Sequence, residues 1–354
     1  MSEPQAPQPA TSLTRILSIV LPAAIVGIAA YALASRSVTV ARDESAPNIL
    51  TRMFTAESVP PVNKMSYADK NGDLVADAPE DAAECIDPQP IVFSFIAGEE
   101  EGLDESKWKE LIGRLAERTG REVKYTHFSS VNDQLAALKN GEVHIVGLNT
   151  GTVPTAVQLD GFVPICTFGR EDGTYGYTME FLVPAGSNIK SVADIRGHKV
   201  MFTRLDSNSG FKAPLVLLMD PPYNMMPDRD YDWGFSQDHE VSIRKVADKE
   251  FEVAPVASDI VARMVEQGDV KDDQFVSIYT SERFPPATLG IAYNLTPELQ
   301  KSIRDALVGF ELKDTGLEGE FGADATKLVP VNYKDDWANT RRIDQVVSDV
   351  RNRK

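Results

Sequence analysis

The sequence has few basic residues relative to acidic ones. Its 354 residues include 36 Lys and Arg against 53 Asp and Glu, a formal net charge of −17. This balance argues against nucleic acid and against an anionic membrane surface as partners. It also repels an anionic ligand at long range, so a site for such a ligand would have to use local hydrogen-bond donors rather than a basic field.

Residues that build metal and nucleophilic sites are scarce, with two cysteines and four histidines in the whole chain. Cys85 and Cys166 could form one disulfide outside the cytoplasm or remain buried apolar side chains, and the sequence leaves both possibilities open. The sequence contains no zinc-ligand spacing, Walker phosphate loop, dinucleotide fingerprint or Ser/His/Asp order. We therefore predict a binding protein rather than an enzyme, with no catalytic residue, metal or cofactor.

One long stretch near the N-terminus lacks charge altogether. Behind a polar tail of residues 1–15, residues 16–34 are apolar and about long enough to cross a bilayer core. The small residues Ala32 and Ala34 also fit the cleavage site of a signal peptide. We predict an anchor, which would leave the bulk of the chain facing the periplasm or the cell exterior.

Residues 35–90 are rich in Pro, Asp, Ala and Glu and are interpreted as an acidic tether. Within the tether, residues 69–80 place oxygen-bearing side chains at several ligand positions of a calcium-binding loop. Leu74 stands where the sharp turn of such a loop needs glycine, and Pro79 lies near its end. We therefore interpret this segment as a solvated linker rather than a calcium site.

Beyond residue 90, short apolar runs alternate with amphipathic helical patterns, which predicts an α/β fold with a mainly parallel sheet. The length exceeds what one compact core usually holds, so we predict two lobes. Lobe 1 is assigned residues 91–184 with 275–312, and lobe 2 residues 185–274. Residues 313–354 are predicted to form a C-terminal tail with a closing helix.

Two loops are predicted to bind a ligand. Asn149 and Thr150 follow a strand of lobe 1, and ligands of such sheets bind beyond the carboxyl ends of strands. In lobe 2, residues 207–209 (Ser-Asn-Ser) lie between a strand and a helix and supply favoured N-cap residues. Because a helix start offers unpaired N–H groups and partial positive charge, this turn predicts a site for a small tetrahedral oxyanion. An ordinary capped helix without a ligand is the alternative interpretation.

Residues 91–310 resemble the phosphate-, phosphite- and phosphonate-binding components of ABC transporters. The resemblance is carried, in the family's order, by an opening strand and helix and by four further features: residues 141–146 (Gly-Glu-Val-His-Ile-Val), residues 187–199, residues 207–211 (Ser-Asn-Ser-Gly-Phe) and the spacing between His239 and Asp259. It implies the type II periplasmic-binding-protein fold, in which two α/β lobes close on a ligand. It also implies hinges near residues 183–187 and 275–280.

The resemblance further implies roles for single residues. Ser207, Asn208 and Ser209 match the turn that holds the oxyanion, and Asn149 and Thr150 fall where lobe 1 contacts the ligand. His239 and Asp259 match ligand-facing polar residues. His239 would be a charged donor if protonated, and Asp259 would accept a hydrogen bond from a P–OH or an ammonium group.

A structural role for His239 is the alternative. Family members often have tyrosines at the lobe 1 wall, where this sequence reads Val131 and Leu148, which predicts a less polar wall or a different ligand.

Together these patterns predict an extracytoplasmic solute-binding protein that captures phosphate, phosphite or phosphonate. Its expected partners are the oxyanion, an ABC transporter permease and, through the N-terminal helix, the membrane. A ligand-sensing receptor domain of the same fold, not coupled to transport, is the alternative function.

Overall fold

The computed structural model describes residues 66–96, 105–322 and 324–352. The predicted membrane segment, residues 16–34, and the first part of the tether lie outside the described residues. Among the helices that are described, none is both long enough and apolar enough to span a membrane.

Strands and helices alternate through most of the described chain. The strands are β1 Ile91–Ile96, β2 Val123–Tyr125, β3 Ile145–Leu148, β4 Phe162–Gly169, β5 Tyr177–Pro184, β6 Lys199–Phe202, β7 Asp232–Phe235, β8 Ala254–Ala257, β9 Phe275–Phe284, β10 Thr288–Ala292 and β11 Lys327–Pro330. The α-helices are α1 Lys109–Thr119, α2 Val131–Lys139, α3 Val153–Leu159, α4 Ala213–Met219, α5 His239–Ala247, α6 Ser258–Glu266, α7 Pro297–Leu307, α8 Tyr333–Asp336 and α9 Ala338–Asn352. A single π-helical turn, Asn208–Lys212, precedes α4.

Lobe 1 is built on a six-stranded sheet with the order β11-β4-β10-β3-β1-β2. Strand β1 runs parallel to β2 and β3, whereas β10 is antiparallel to β3 and β4, and β11 is antiparallel to β4. The sheet is therefore mixed, and the prediction of a mainly parallel sheet is wrong for this lobe. Its core includes Phe93, Trp108 and Leu111, each fully buried.

Lobe 2 contains a three-stranded sheet, β8-β5-β9, and the parallel pair β6-β7. Both β5 and β9 were assigned to lobe 1, but β5 pairs with β8 and β9. The chain passes between the two sheets at residues 170–176 and 285–287. The hinge segments implied by the resemblance, 183–187 and 275–280, lie at the ends of β5 and β9 that are opposite these crossovers. Apolar patterning identifies a strand without identifying its partner, so it could not show which sheet β5 and β9 join.

The second half of the predicted tether belongs to the folded body. Ser66 N donates to Gln158 O at 2.9 Å, and Ile86 N donates to Asn294 O at 2.7 Å. The calcium-like loop is closed by its own side chains: the Asp69 carboxylate accepts from the amides of Gly72, Asp73 and Leu74. Within the described residues, no group of three or more His, Cys, Asp or Glu side chains is arranged to hold a metal.

The C-terminal segment is also part of the fold rather than a tail. Strand β11 pairs with β4 at the edge of the lobe 1 sheet. Helix α9 packs on α3 of lobe 1 and on α4 and the π turn of lobe 2, so it bridges the two lobes. The two cysteines are free thiols, and Cys166 is fully buried in the lobe 1 core.

Candidate ligand-binding site

A cavity of about 170 Å³ lies between the two lobes. Every residue predicted to contact the ligand lines it: Asn149, Thr150, Ser207, Asn208, Ser209, His239 and Asp259. Other described residues of its wall include Phe95, Tyr177, Arg204, Asp206, Arg263 and Phe321. The structure therefore brings together loops that are more than 100 positions apart in the sequence.

The serine-rich turn begins a helix, as its cap residues predict. Ser207 Oγ accepts from Gly210 N at 3.0 Å, so Ser207 is the N-cap of the π turn that continues into α4. Gly210 is required by packing, because a Cβ at this position would overlap Thr203 Oγ1 and lie 2.7 Å from Thr203 Cγ2.

His239 lies at the start of α5 and is bonded on both ring nitrogens. Nδ1 accepts from Ala257 N at 3.2 Å, which leaves the ring proton on Nε2, 3.2 Å from Ser207 Oγ. Burial lowers the pKa of His239 to about 4, with the nearby Asp206 opposing this shift. His239 is therefore neutral at pH 7, and the expected charged donor is replaced by a neutral one that orients Ser207.

The Ser207 hydroxyl can act towards a ligand only as a hydrogen-bond donor. A serine hydroxyl has two acceptor lone pairs and one proton to donate. Gly210 N–H and His239 Nε2–H occupy the two acceptor positions. The Ser207 proton is thereby available as a donor in the cavity, which suits an acceptor-rich ligand such as an oxyanion.

The Asn208 side chain is buried and has no hydrogen-bond partner among the residues that the structure describes. It is 2% exposed, and neither the amide nitrogen nor the amide oxygen makes a hydrogen bond within the described residues. It faces the Tyr177 hydroxyl but at a geometry outside that of a hydrogen bond. Since an unsatisfied buried polar group costs about 1–3 kcal/mol, a ligand that bonds Asn208 would recover that energy.

Asp259 provides the acceptor of the site. It lies in the first turn of α6, and its Oδ1 accepts from Ile260 N at 3.0 Å. Within the described part of the chain its carboxylate is in no ion pair, and burial raises the pKa to about 6. Asp259 can therefore share a proton with a ligand near neutral pH.

On the lobe 1 side, the predicted residues are already bonded to protein groups. Asn149 Nδ2 donates to Asp206 Oδ2 at 3.0 Å, and Asn149 Oδ1 accepts from Thr152 N at 2.9 Å. Thr150 Oγ1 donates to Pro285 O at 2.6 Å and accepts from the Tyr177 hydroxyl at 3.2 Å. Asn149 thus links the loops of the two lobes beside the cavity.

Tyr177 is a site residue that sequence reasoning missed. It begins β5, is 8% exposed, and lines the cavity together with Thr150. Val131 and Leu148, which were aligned with the family's wall tyrosines, are buried in the lobe 1 core and are absent from the described cavity wall. The expectation of tyrosines at the ligand wall was a signal for such a residue, but it was placed at Val131 in α2 and at Leu148 in β3.

Both arginines of the cavity wall are bonded to acids. Arg204 Nη2 donates to Asp206 Oδ2 at 2.8 Å, and Arg263 Nη2 donates to Glu240 Oε1 at 2.7 Å. These pairs neutralise much of the acidic wall locally. Besides neutral donors, the cavity therefore offers the Asp259 carboxylate as an acceptor, within a chain of strongly negative net charge.

Two α/β lobes joined by two crossovers, with a cavity between them that several polar side chains line, define a type II periplasmic binding protein. A family model for the periplasmic substrate-binding protein of phosphonate ABC transporters matches residues 93–337. The chain belongs to this family. It is thus the phosphonate-binding periplasmic component of an ABC transporter, which works with a permease, and not an enzyme or a receptor uncoupled from transport.

Solved structures share the fold at low sequence identity. The binding component of a phosphonate ABC transporter from Pseudomonas aeruginosa is 19% identical, with a TM-score of 0.61 over 75% of this chain and 90% of that one. A Prochlorococcus marinus protein in complex with methylphosphonate is 12% identical, with a TM-score of 0.61 over 74% of this chain and 99% of that one. A Xanthomonas citri protein bound to ATP is 18% identical, with a TM-score of 0.57 over 75% and 98%.

Proposed function

We propose that the phosphonate binds in the interlobe cavity, held at the start of the π turn. The supporting observation is the buried, unpartnered side chain of Asn208 beside a serine whose hydroxyl can act only as a donor. The phosphonate oxygens accept from Ser207, Asn208 and Ser209 and from the first N–H groups of the helix. Asn149 and Thr150 close the lobe 1 side, and Tyr177, at the start of β5, donates its hydroxyl to Thr150.

Asp259 and His239 have different roles, because Asp259 contacts the ligand directly and His239 acts through Ser207. Asp259 accepts a hydrogen bond from the P–OH of a singly protonated phosphonate, or from the ammonium group of an aminophosphonate. His239 orients the Ser207 hydroxyl rather than contacting the ligand itself. Sulfate carries no proton at neutral pH and would leave the Asp259 acceptor unpaired, so the site discriminates against it.

Ligand-induced stabilisation tests this assignment. Methylphosphonate at one hundred times its dissociation constant should raise the free energy of unfolding by about 2.7 kcal/mol, and equimolar sulfate should add much less. The combined variant Ser207→Ala with Ser209→Ala should lose this gain. Ser302→Ala is the matched control, because Ser302 bonds only the Glu298 carbonyl within α7, far from the cavity.

Two results would contradict the proposal. A double variant that still gains full stability from methylphosphonate would place the ligand elsewhere. A wild-type chain that responds equally to sulfate would remove the role given to Asp259.

We also propose that residues 16–34 hold the protein at the periplasmic face of the membrane. The support is the run of nineteen uncharged, mainly apolar residues in the sequence. After cell fractionation the chain should remain in membranes that are washed with alkaline carbonate. Deleting residues 16–34, or introducing two arginines into that run, should release the chain from the membrane or block its export. A mature N-terminus at Ser35, found by mass spectrometry, would instead establish a cleaved signal peptide.

A further inference from the structure

Lys212 joins three parts of the molecule beside the ligand cavity. It is the last residue of the π turn, and its Nζ donates to Gly151 O at 2.6 Å and to Asp344 Oδ1 at 2.8 Å. Gly151 belongs to the lobe 1 loop that carries Thr150, and Asp344 belongs to α9. One ammonium group therefore connects the oxyanion turn, the lobe 1 ligand loop and the C-terminal helix.

The ion pair is deeply buried. The Lys212 side chain is 12% exposed and that of Asp344 is 3% exposed. Removing one partner of such a pair leaves the other charge desolvated and uncompensated, which is strongly unfavourable. Asp344 Oδ2 has no hydrogen-bond partner within the described residues, so the carboxylate depends on Lys212.

The two ligand loops touch at this point. A Cβ added to Gly151 would overlap the Asp206 carbonyl and lie 2.8 Å from Asn208 N, so the backbones of the two loops are in direct contact. Trp337, which is fully buried just before α9, donates its indole N–H to Thr150 O at 3.3 Å. The C-terminal segment thus bonds to both loops that line the cavity.

We propose that Lys212 is a positioning residue, which holds the two ligand loops together and makes phosphonate affinity depend on the C-terminal helix. This inference rests on the proposed function for the placement of the ligand. Lys212 itself does not line the cavity among the described residues, and it acts through Gly151 and the π turn. The helix then serves as a third connection between the lobes, in addition to the two crossovers.

A double-mutant cycle tests the coupling. Lys212→Met should weaken methylphosphonate binding, measured by calorimetry, at least tenfold. Asp344→Asn should weaken it severalfold, and the two effects should combine to less than their product, because both break one contact. The matched control is the exposed pair Lys301 and Asp305 on α7, whose Lys301→Met and Asp305→Asn variants should bind as the wild type does.

Hydrogen exchange of the ligand-free chain supplies a readout that needs no ligand. In Lys212→Met the amides of residues 149–152 and 206–212 should exchange faster, while those of β1 and β3 keep the wild-type rates. If the wild type binds no phosphonate, the proposed function fails, yet this measurement still decides whether Lys212 holds the loops.

The outcomes that overturn the inference are specific. Unchanged affinity in Lys212→Met, with only a lower unfolding free energy, would make the ion pair structural. If Lys212→Met does not fold, the variants Asp344→Asn and Trp337→Phe replace it in the test. If both of these variants keep the wild-type affinity and the wild-type amide exchange rates in the two loops, the inference is overturned.

Discussion

At the residue scale, the site combines neutral hydrogen-bond donors with a carboxylate acceptor, Asp259, whose pKa is raised. The pKa values of His239 and Asp259 shift in opposite directions. Burial lowers the pKa of His239 to about 4 and raises that of Asp259 to about 6. Their ordinary values are 6.5 and 3.8. Both shifts therefore make the unfolding free energy of the ligand-free protein depend on pH between pH 7 and pH 4.

The signs of the two contributions differ. The folded state keeps His239 neutral, whereas the unfolded state protonates it below pH 6.5. The loss of unfolding free energy from this difference is therefore absent above pH 6.5 and grows as the pH falls towards 4. The folded state favours protonated Asp259, so its penalty is full above pH 6 and disappears as the pH falls towards 3.8.

We therefore expect Asp259→Asn to lose about 1 kcal/mol more unfolding free energy between pH 7 and pH 5 than the wild type loses. The measurement is urea unfolding at the two pH values, and His239→Gln, which should lose less than the wild type, is the companion variant. Identical pH dependence in all three chains would show that these groups titrate normally.

A second residue-scale prediction concerns Asn208. Replacement by the similarly sized Leu removes two buried, unpartnered polar atoms, so Asn208→Leu should leave the ligand-free protein as stable as the wild type or raise its unfolding free energy by about 1 kcal/mol. The same change should weaken methylphosphonate binding more than tenfold, measured by calorimetry. A destabilised variant with intact affinity would mean that Asn208 supports the fold and not the ligand.

At the element scale, the site depends on two loops packed backbone to backbone. Gly151→Ala should force the lobe 1 loop away from Asp206 and Asn208, lowering both stability and phosphonate affinity. Gly113→Ala in the exposed middle of α1 is the matched control, because nothing lies within 4 Å of its added Cβ. That change should raise stability by roughly 0.5–1 kcal/mol through helix propensity, without altering affinity. Equal effects of the two substitutions in thermal unfolding would contradict the proposed close contact.

Local elements could be predicted from the sequence where one periodic signal dominates. Helix α2 has Ser130 as its side-chain N-cap, and strand β1 is a short, mainly apolar run, so both carry a clear local signal. The N-cap of the π turn was predicted within residues 207–209 for the same reason, and it lies at Ser207. Tyr177 was missed because an aromatic residue at the start of an alternating strand reads as core, and only the fold shows that its hydroxyl faces Thr150.

At the scale of the whole molecule, the order of local motifs was enough to predict two α/β lobes, and the family match confirms that fold. Strand pairing was not predictable in the same way. Assigning β5 and β9 to lobe 2 depends on hydrogen bonds between residues about one hundred positions apart, which no local pattern encodes. Segments of low hydrophobicity, such as residues 66–90 and 313–330, join the fold through backbone bonds, and composition gave no sign of them.

The net charge leads to the last prediction. A chain of charge −17 repels a phosphonate during its approach, while the contacts within the cavity are short-range and mostly neutral. The screening length falls from about 30 Å at 0.01 M salt to about 8 Å at 0.15 M. The association rate constant should therefore rise a few-fold over this range, more for a dianionic than for a monoanionic ligand, while the dissociation rate constant stays nearly constant.

Stopped-flow measurements in potassium fluoride and in sodium chloride would check this, because agreement between the two salts excludes competition by chloride for the site. An association rate that falls with salt would mean that Arg204 and Arg263, despite their pairing with acids, set the local potential at the cavity. In that case the ligand would be steered by a basic entrance, and the neutral donors of the π turn would account only for how long it stays.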